Sequence, residues 1–329
     1  MAATSDAVGN GRVSAAVRVN GEIRSIPTDF PPRAVFPIYS ITKTLTAICV
    51  LRLVETGALR LVDAVRQWLP DVSIPTTITL THLLRHTSGL RDYGPLPAYH
   101  DAVRAHPDRP WTRQQFLDAV LPAGMLFAPG EGFSYSNVGY MLLIDVMERV
   151  TGQTFAEVVS AFLTQPLAIQ NTSVLEDLDD LMRCVPGFGS EVTSDGRLVD
   201  VRGRYHPGWC APRLIASTAE DVTSVFDTLI AGDVLEPDTL AQMLTLSPLS
   251  DQPDENHRGG MGVYADLLSR RGRNYHHGGG GPGYNVCATV YPDTALGRVS
   301  IAVFVNSSCG RQATDCEAAL LAQVLDGSP

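Results

Sequence analysis

The chain has 329 residues and a mass of 35.4 kDa, enough for about two packed units or for one large α/β unit carrying an insertion. With 44% hydrophobic and 18% charged residues, it has the composition of a globular protein and not of a disordered tail or a fibre. Its formal net charge of -10 argues against a nucleic-acid partner, and no apolar run of about 18 residues or basic-then-apolar leader stands in Met1 to Asn20, so the expectation is a cytoplasmic protein without a membrane partner.

In chain order, Val13 to Val19 and Glu22 to Ile26 flank Asn20-Gly21, the strongest short-range signal for a β-hairpin. Ile41 to Glu55 is apolar on more than one helical stripe and stops before Gly57, which predicts a largely buried helix with a glycine at its C-terminal end. Helical patterns follow at Leu80 to His86, Thr112 to Val120, Val138 to Thr151 before Gly152, and Phe155 to Leu163. Thr218 and its neighbours form a capping sequence that opens another helix, ending near Ile230. The period then changes to that of strands at Gly260 to Asp266, Arg273 to His277, Tyr284 to Tyr291 and Val299 to Asn306, before a last helix from Ala313 to Leu325. Strands at both ends with helices between them predict an α/β (α+β) domain from residues 1–57 and 215–329. A mainly helical domain, 58–214, is inserted, with the site in the cleft between the two.

Lys43 is the only lysine among the 25 basic residues. Arginine serves most surface charges and ion pairs but does not lose its proton in a protein, whereas a lysine neutralised by burial becomes a base. Ser40 stands three residues earlier at the start of the buried helix, where i and i+3 share a face, so the amine reaches the hydroxyl. Tyr135 and Asn137 flank Ser136 just ahead of a helix. In extended chain both point the same way, the phenol as a proton shuttle with its pKa lowered beside an ammonium, the amide as a hydrogen-bonding fork. His276-His277-Gly278-Gly279-Gly280-Gly281-Pro282-Gly283-Tyr284 lies between predicted strands, and a strand stripped of side chains lays its amides against a substrate carbonyl as an oxyanion hole. The six cysteines contain no CxxC pair and read as free, mostly buried thiols; Cys210 has no local activator. His82 and His86 have i, i+4 spacing, but Leu83 stands where a metalloprotease helix has glutamate, so both read as structural. Neither metal nor cofactor is expected.

Taken in order, Ser-x-x-Lys, Tyr-x-Asn and His-x-Gly resemble the motif set of the serine β-lactamase and D-Ala-D-Ala-peptidase superfamily. Leu51 to Leu69, Ile78 to Leu90 and Leu214 to Asp221 resemble its branch of class C β-lactamases, D-aminopeptidases, family VIII carboxylesterases and some biosynthetic acyltransferases. The resemblance runs from about residue 12 to residue 326 and implies a β-lactamase/transpeptidase-like fold, with an antiparallel sheet flanked by helices and an inserted helical domain. It implies Ser40 as the acylated nucleophile, Lys43 as its proton partner and Tyr135 as the residue that helps deprotonate Ser40 and passes the proton to the leaving group. Asn137 matches the substrate-binding amide, His277-Gly278-Gly279 the third motif, and the amides of Ser40 and Gly280 the oxyanion hole. Class C β-lactamases carry Lys-Thr-Gly at that third motif and are exported. With His277 in place of the lysine, recognition of a substrate carboxylate weakens to a hydrogen bond, or to a charge if the ring is protonated. The absence of a G-x-S-x-G elbow counts against an α/β-hydrolase. The expected activity is that of a carboxylesterase-like serine hydrolase acting through an acyl-enzyme on an ester or amide of a small molecule. An acyltransferase using an amine or alcohol acceptor comes next, then a peptidase or β-lactamase; nothing in the sequence speaks to oligomeric state.

Overall fold

The computed structural model describes residues 9–249 and 254–326, so the first eight residues of the stretch read for a leader lie outside the described residues. One sheet has eight strands, labelled here β1 (Val13–Val19), β2 (Glu22–Arg24), β3 (Ser247–Pro248), β4 (His257–Gly259), β5 (Tyr264–Ser269), β6 (Gly272–Gly281), β7 (Tyr284–Thr294) and β8 (Gly297–Val305). Their spatial order is β2-β1-β8-β7-β6-β5-β4-β3, with every neighbouring pair antiparallel. The two ends of the chain meet where β1 pairs with β8, from Val13 opposite Val305 to Val19 opposite Val299. The Asn20-Gly21 turn closes the first hairpin with both residues at positive φ, +52° and +89°, as a type I′ turn requires.

β8 is apolar on both faces because both are covered. Ala302 and Phe304 join the main core with Val222, Val225 and Phe226 of helix Ala219–Ala231, while Ile301, Val303 and Val305 pack with Leu321 of the C-terminal helix Ala313–Asp326. The middle of the chain is mainly helical. Its two central helices are α1 (Thr42–Glu55) and α2 (Asn137–Thr151), the latter ending at Gly152 in the left-handed conformation. A small antiparallel sheet of Phe36–Pro37, Leu214–Ser217 and Ser173–Leu175 sits at the start of α1, and its middle strand holds that start from both sides. Ile38 N–H donates to the Ile215 carbonyl at 2.8 Å, and Ile215 N–H donates to Thr42 Oγ1 at 3.2 Å. Among the described residues no helix is long and apolar enough to cross a membrane.

The elements depart from expectation in several places. The strand expected from Gly260 begins only at Tyr264, and short helices such as Pro237–Met243 and strands such as His257–Gly259 were not expected. Helix Pro97–Ala105 was not read from the sequence, since it buries only Val103 and begins with a proline. The helix expected to Leu163 tightens only to Val159 and widens into a π-turn over Ser160–Thr164. The strand expected to stop at His277 continues through the glycine run to Gly281, against the low strand propensity of glycine. The reason lies in what passes beneath it.

Candidate active site

Ser40 lies on a 3-10 turn, Tyr39–Ile41, that leads directly into α1. Tyr39 is held at φ +41°, a conformation that costs a non-glycine residue roughly 1–3 kcal/mol and persists only where the surroundings fix it. Its phenol donates to the Pro282 carbonyl at 2.7 Å, and its ring occupies the space that a side chain at position 281 would fill. A Cβ on Gly279 would lie 2.7 Å from Ser40 N and 2.8 Å from the Ile38 carbonyl oxygen. The glycines therefore let β6 lie backbone to backbone against the turn that carries Ser40, and for this the strand gives up its side chains.

Two predicted side chains meet at Ser40, and a third holds one of them. Tyr135 OH donates to Ser40 Oγ at 2.8 Å, Lys43 Nζ lies 3.4 Å from the same oxygen, and Lys43 donates to Asn137 Oδ1 at 2.7 Å. Asn137 is the first residue of α2, and its backbone N–H and Nδ2 both donate to Asp92, at 2.9 Å each. The loop before α2 hangs on His86: Ser134 N–H donates to the His86 carbonyl at 2.9 Å, and Ser136 N–H donates to Nδ1 at 3.1 Å. That second bond puts the ring proton on Nε2. The His86 ring lies 4.5 Å from Tyr135 and 5.0 Å from Tyr140, and so sets the plane of the phenol. His82 caps its helix with Thr79, accepting Thr79 N–H at Nδ1 from 3.1 Å. Both histidines have the structural roles expected of them.

Burial decides the protonation states. Lys43 is 2% exposed, and desolvation lowers its pKa from 10.5 to about 8, the Asp92 charge opposing the shift. Its ammonium lies over the rings of Tyr135 and Tyr140, at 4.7 and 5.7 Å from their centroids. The expectation that the Tyr135 phenol is lowered toward neutrality is corrected: burial pushes it up, the hydrogen bond to Ser40 opposing only part of the shift. Tyr135 stays protonated at neutral pH, and Lys43 is the group able to give up its proton. Asp92 is raised by burial, with the Asn137 hydrogen bonds and Lys43 pulling the other way.

The third motif is split between two surroundings. Gly280 lines a cavity of about 300 Å³ with Ser40, Lys43 and Asn137. Tyr93, Tyr99, Tyr205 and Leu214 form part of its wall, and Arg104 and Arg213 also line it. His277 does not reach this cavity. Its ring is 3% exposed, Nδ1–H donates to the Gly278 carbonyl at 2.7 Å, and buried Nε2 has no hydrogen-bond partner among the described residues. Burial, helped by the Lys43 charge, lowers its pKa to about 3. The expectation that His277 offers a substrate a charge or a donated hydrogen bond is corrected accordingly: the ring is neutral, and its one N–H is committed. Gly278 points toward the Val286 carbonyl, not toward the Ser40 turn. All six cysteines are free, and burial raises the Cys210 thiol on the cavity wall, so it is not activated. The sequence reading missed Asp92, which has no periodic partner and stands two residues beyond the Ile78 to Leu90 run, and the ring of His86 beneath Tyr135.

The beta-lactamase family model matches residues 6–325. A penicillin-binding protein of Bacillus subtilis (strain 168) is 26% identical over 272 residues, which cover 79% of this chain and 58% of that protein. Esterase EstB of Burkholderia gladioli is 37% identical over 151 residues, 41% of this chain and 37% of the esterase. The chain thus spans less than two thirds of the length of these curated relatives. Among solved structures, a D-stereospecific amidohydrolase from Streptomyces sp. superposes with a TM-score of 0.82 at 26% identity, covering 97% of this chain and 95% of that one. The chain belongs to the beta-lactamase family, within the serine-hydrolase superfamily that its three motifs resemble.

Proposed function

We propose that the protein is a carboxylesterase-like serine hydrolase that forms an acyl-enzyme at Ser40 with an ester or amide of a small molecule. The observation that carries this reading is Ser40 Oγ held between Tyr135 OH at 2.8 Å and Lys43 Nζ at 3.4 Å at the wall of a cavity. Neutral Lys43 takes the Ser40 proton as Oγ bonds to the substrate carbonyl carbon, and the backbone amides of Ser40 and Gly280 receive the oxyanion. The proton then passes through Tyr135 to the leaving alcohol or amine, whose bond to the acyl carbon breaks. Water, activated by the same pair, releases the acid. Burial keeps His277 neutral, so a substrate carboxylate would have to be met by Arg104 or Arg213 of the cavity wall and not by the third motif, unlike in a class C β-lactamase. EstB as a relative supports an ester as substrate.

A time course of intact mass with p-nitrophenyl butyrate tests the reading. Wild type is expected to show a transient butyryl adduct with steady release of p-nitrophenol, and Ser40→Ala neither. An adduct that persists until an amine is added would replace hydrolysis by acyl transfer, and an adduct on Ser40→Ala would overturn the assignment of the nucleophile.

The same proton bookkeeping sets the pH profile. A base with its pKa lowered from 10.5 to about 8 is mostly protonated at pH 7 and mostly neutral at pH 9. The acylation rate is therefore expected to rise about tenfold per pH unit below that pKa and to level off above it. Single-turnover rates measured between about pH 6 and 10 check this, and a rate that falls over the range would contradict a lysine base.

A further inference from the structure

On the face of the sheet turned away from Ser40, three side chains converge that the proposed reaction does not use. Gly279 and Gly281 of β6 face the Tyr39–Ser40 turn, so the alternation of the strand places Asn274 and His276 on the opposite face. The register sets Asp266 of β5 directly opposite both His257 of β4 and Asn274 of β6, with His276 one diagonal step along β6. Opposed Cβ atoms lie about 5 Å apart and diagonal ones about 7–8 Å, within reach of imidazole rings. His257 Nδ1 lies 2.8 Å from Asp266 Oδ1, and His276 Nδ1 lies 3.9 Å from Asp266 Oδ2 and 2.9 Å from Asn274 Oδ1. The two rings stack with centroids 5.2 Å apart. One ligating atom from each of the three residues lies within 4.8 Å of the other two, and among the described residues this is the one trio of His, Cys, Asp or Glu that converges so closely.

We propose that His257, Asp266 and His276 bind one divalent first-row transition cation of the zinc class, at a site separate from the Ser40 cavity. Two imidazoles and one carboxylate suit zinc and its neighbours in the row, whereas magnesium and calcium prefer oxygen alone. Tetrahedral bonds of about 2.0–2.2 Å hold ligand atoms roughly 3.4 Å apart, and the Asp266 contacts of 2.8 and 3.9 Å bracket that spacing. Asn274 Oδ1 lies 2.9 Å from the same His276 Nδ1, a contact that the metal replaces when that nitrogen ligates it. Asp266, Asn274 and His276 also open onto a cavity of about 420 Å³ whose opposite side is lined by Thr314 and Glu317 of the C-terminal helix. Three protein ligands and one position open to a cavity leave room for water or a small anion on the metal. Bound there, the ion ties together three neighbouring strands.

The test uses the full chain, treated with a chelator and titrated with cobalt(II) and then zinc. Wild type is expected to bind one equivalent of cobalt with the visible absorption of a four-coordinate ion, to lose that band to zinc, and to gain about 2 °C or more in Tm with zinc in excess. His257→Ala and Asp266→Ala are each expected to lose the band and the Tm gain while still acylating at Ser40. Absence of the band in wild type, or the same band and stoichiometry in either variant, would overturn the site. If a variant does not fold, X-ray absorption of the wild-type zinc complex decides: two imidazole ligands support the proposal, and one or none overturns it.

Discussion

Lys43→Arg is expected to lower kcat/KM for p-nitrophenyl butyrate by at least about a thousandfold, a loss of about 4 kcal/mol in transition-state stabilisation, although the formal charge is unchanged. A guanidinium in place of the amine keeps the positive charge that Asn137 Oδ1 and the Tyr135 ring meet in wild type. It has no accessible neutral form and accepts nothing from Ser40. The buried amine, with a pKa of about 8, exchanges a proton at working pH. Lys43 is 2% exposed, so the larger head group must displace its neighbours and some loss of Tm is expected alongside the loss of rate. Lys43→Met separates the two roles: if the charge alone matters, arginine retains most activity and methionine little, whereas a proton role leaves both variants within about tenfold of each other. Stopped-flow acylation rates with Tm measured alongside distinguish these outcomes, and near-wild-type turnover in Lys43→Arg would remove Lys43 from the proton path.

What was legible in the sequence was whatever depends on neighbours along the chain. The Asn20-Gly21 hairpin, the buried run of α1 and the glycine stop of α2 at Gly152 are local, and all three are present in the structure. The i, i+3 spacing of Ser40 and Lys43 and the i, i+2 spacing of Tyr135 and Asn137 predict that each pair shares a direction, and the fold brings both pairs to one oxygen or its immediate neighbour. Properties set by packing were not legible. The phenol of Tyr135 is raised and not lowered, because desolvation outweighs the hydrogen bond to Ser40 that opposes it, and desolvation has no sequence pattern. His277 turns its one N–H to its neighbour's carbonyl for the same kind of reason: no composition or spacing states that the ring is enclosed. Asp92 reaches Asn137 across 45 positions of chain, and a lone acid without periodic context gives no warning of that. The glycine run was legible as a place of close approach, but its continuation as strand depends on the Tyr39–Ile41 turn, which only the folded chain places beneath it.

That close approach carries the second large effect. Gly279→Ala is expected to lower kcat by about a hundredfold to a thousandfold while leaving most of the stability in place. The added Cβ would stand 2.7 Å from Ser40 N, 2.8 Å from the Ile38 carbonyl oxygen and 3.0 Å from Tyr39 Cβ, two of them backbone atoms that no rotamer change moves. Relief requires β6 and the Ser40 turn to part by roughly 1 Å, and a displacement of that size at reacting groups costs about a hundredfold in rate. The same movement separates the amides of Ser40 and Gly280, and loss of one oxyanion donor alone costs about 10²–10³ in kcat. Tyr93 and Tyr99 of the cavity wall are not among the atoms that the added Cβ meets, so KM is expected to change less than kcat. Gly278→Ala, one residue away, puts its Cβ in ordinary contact at 3.7 Å from the Val286 carbonyl oxygen and is expected to lose at least tenfold less. Steady-state kinetics of the two variants side by side measure the difference. Equal losses would mean that glycine is needed along this stretch for strand flexibility, whereas the expected inequality ties the requirement to the one position where β6 touches the nucleophile's own backbone.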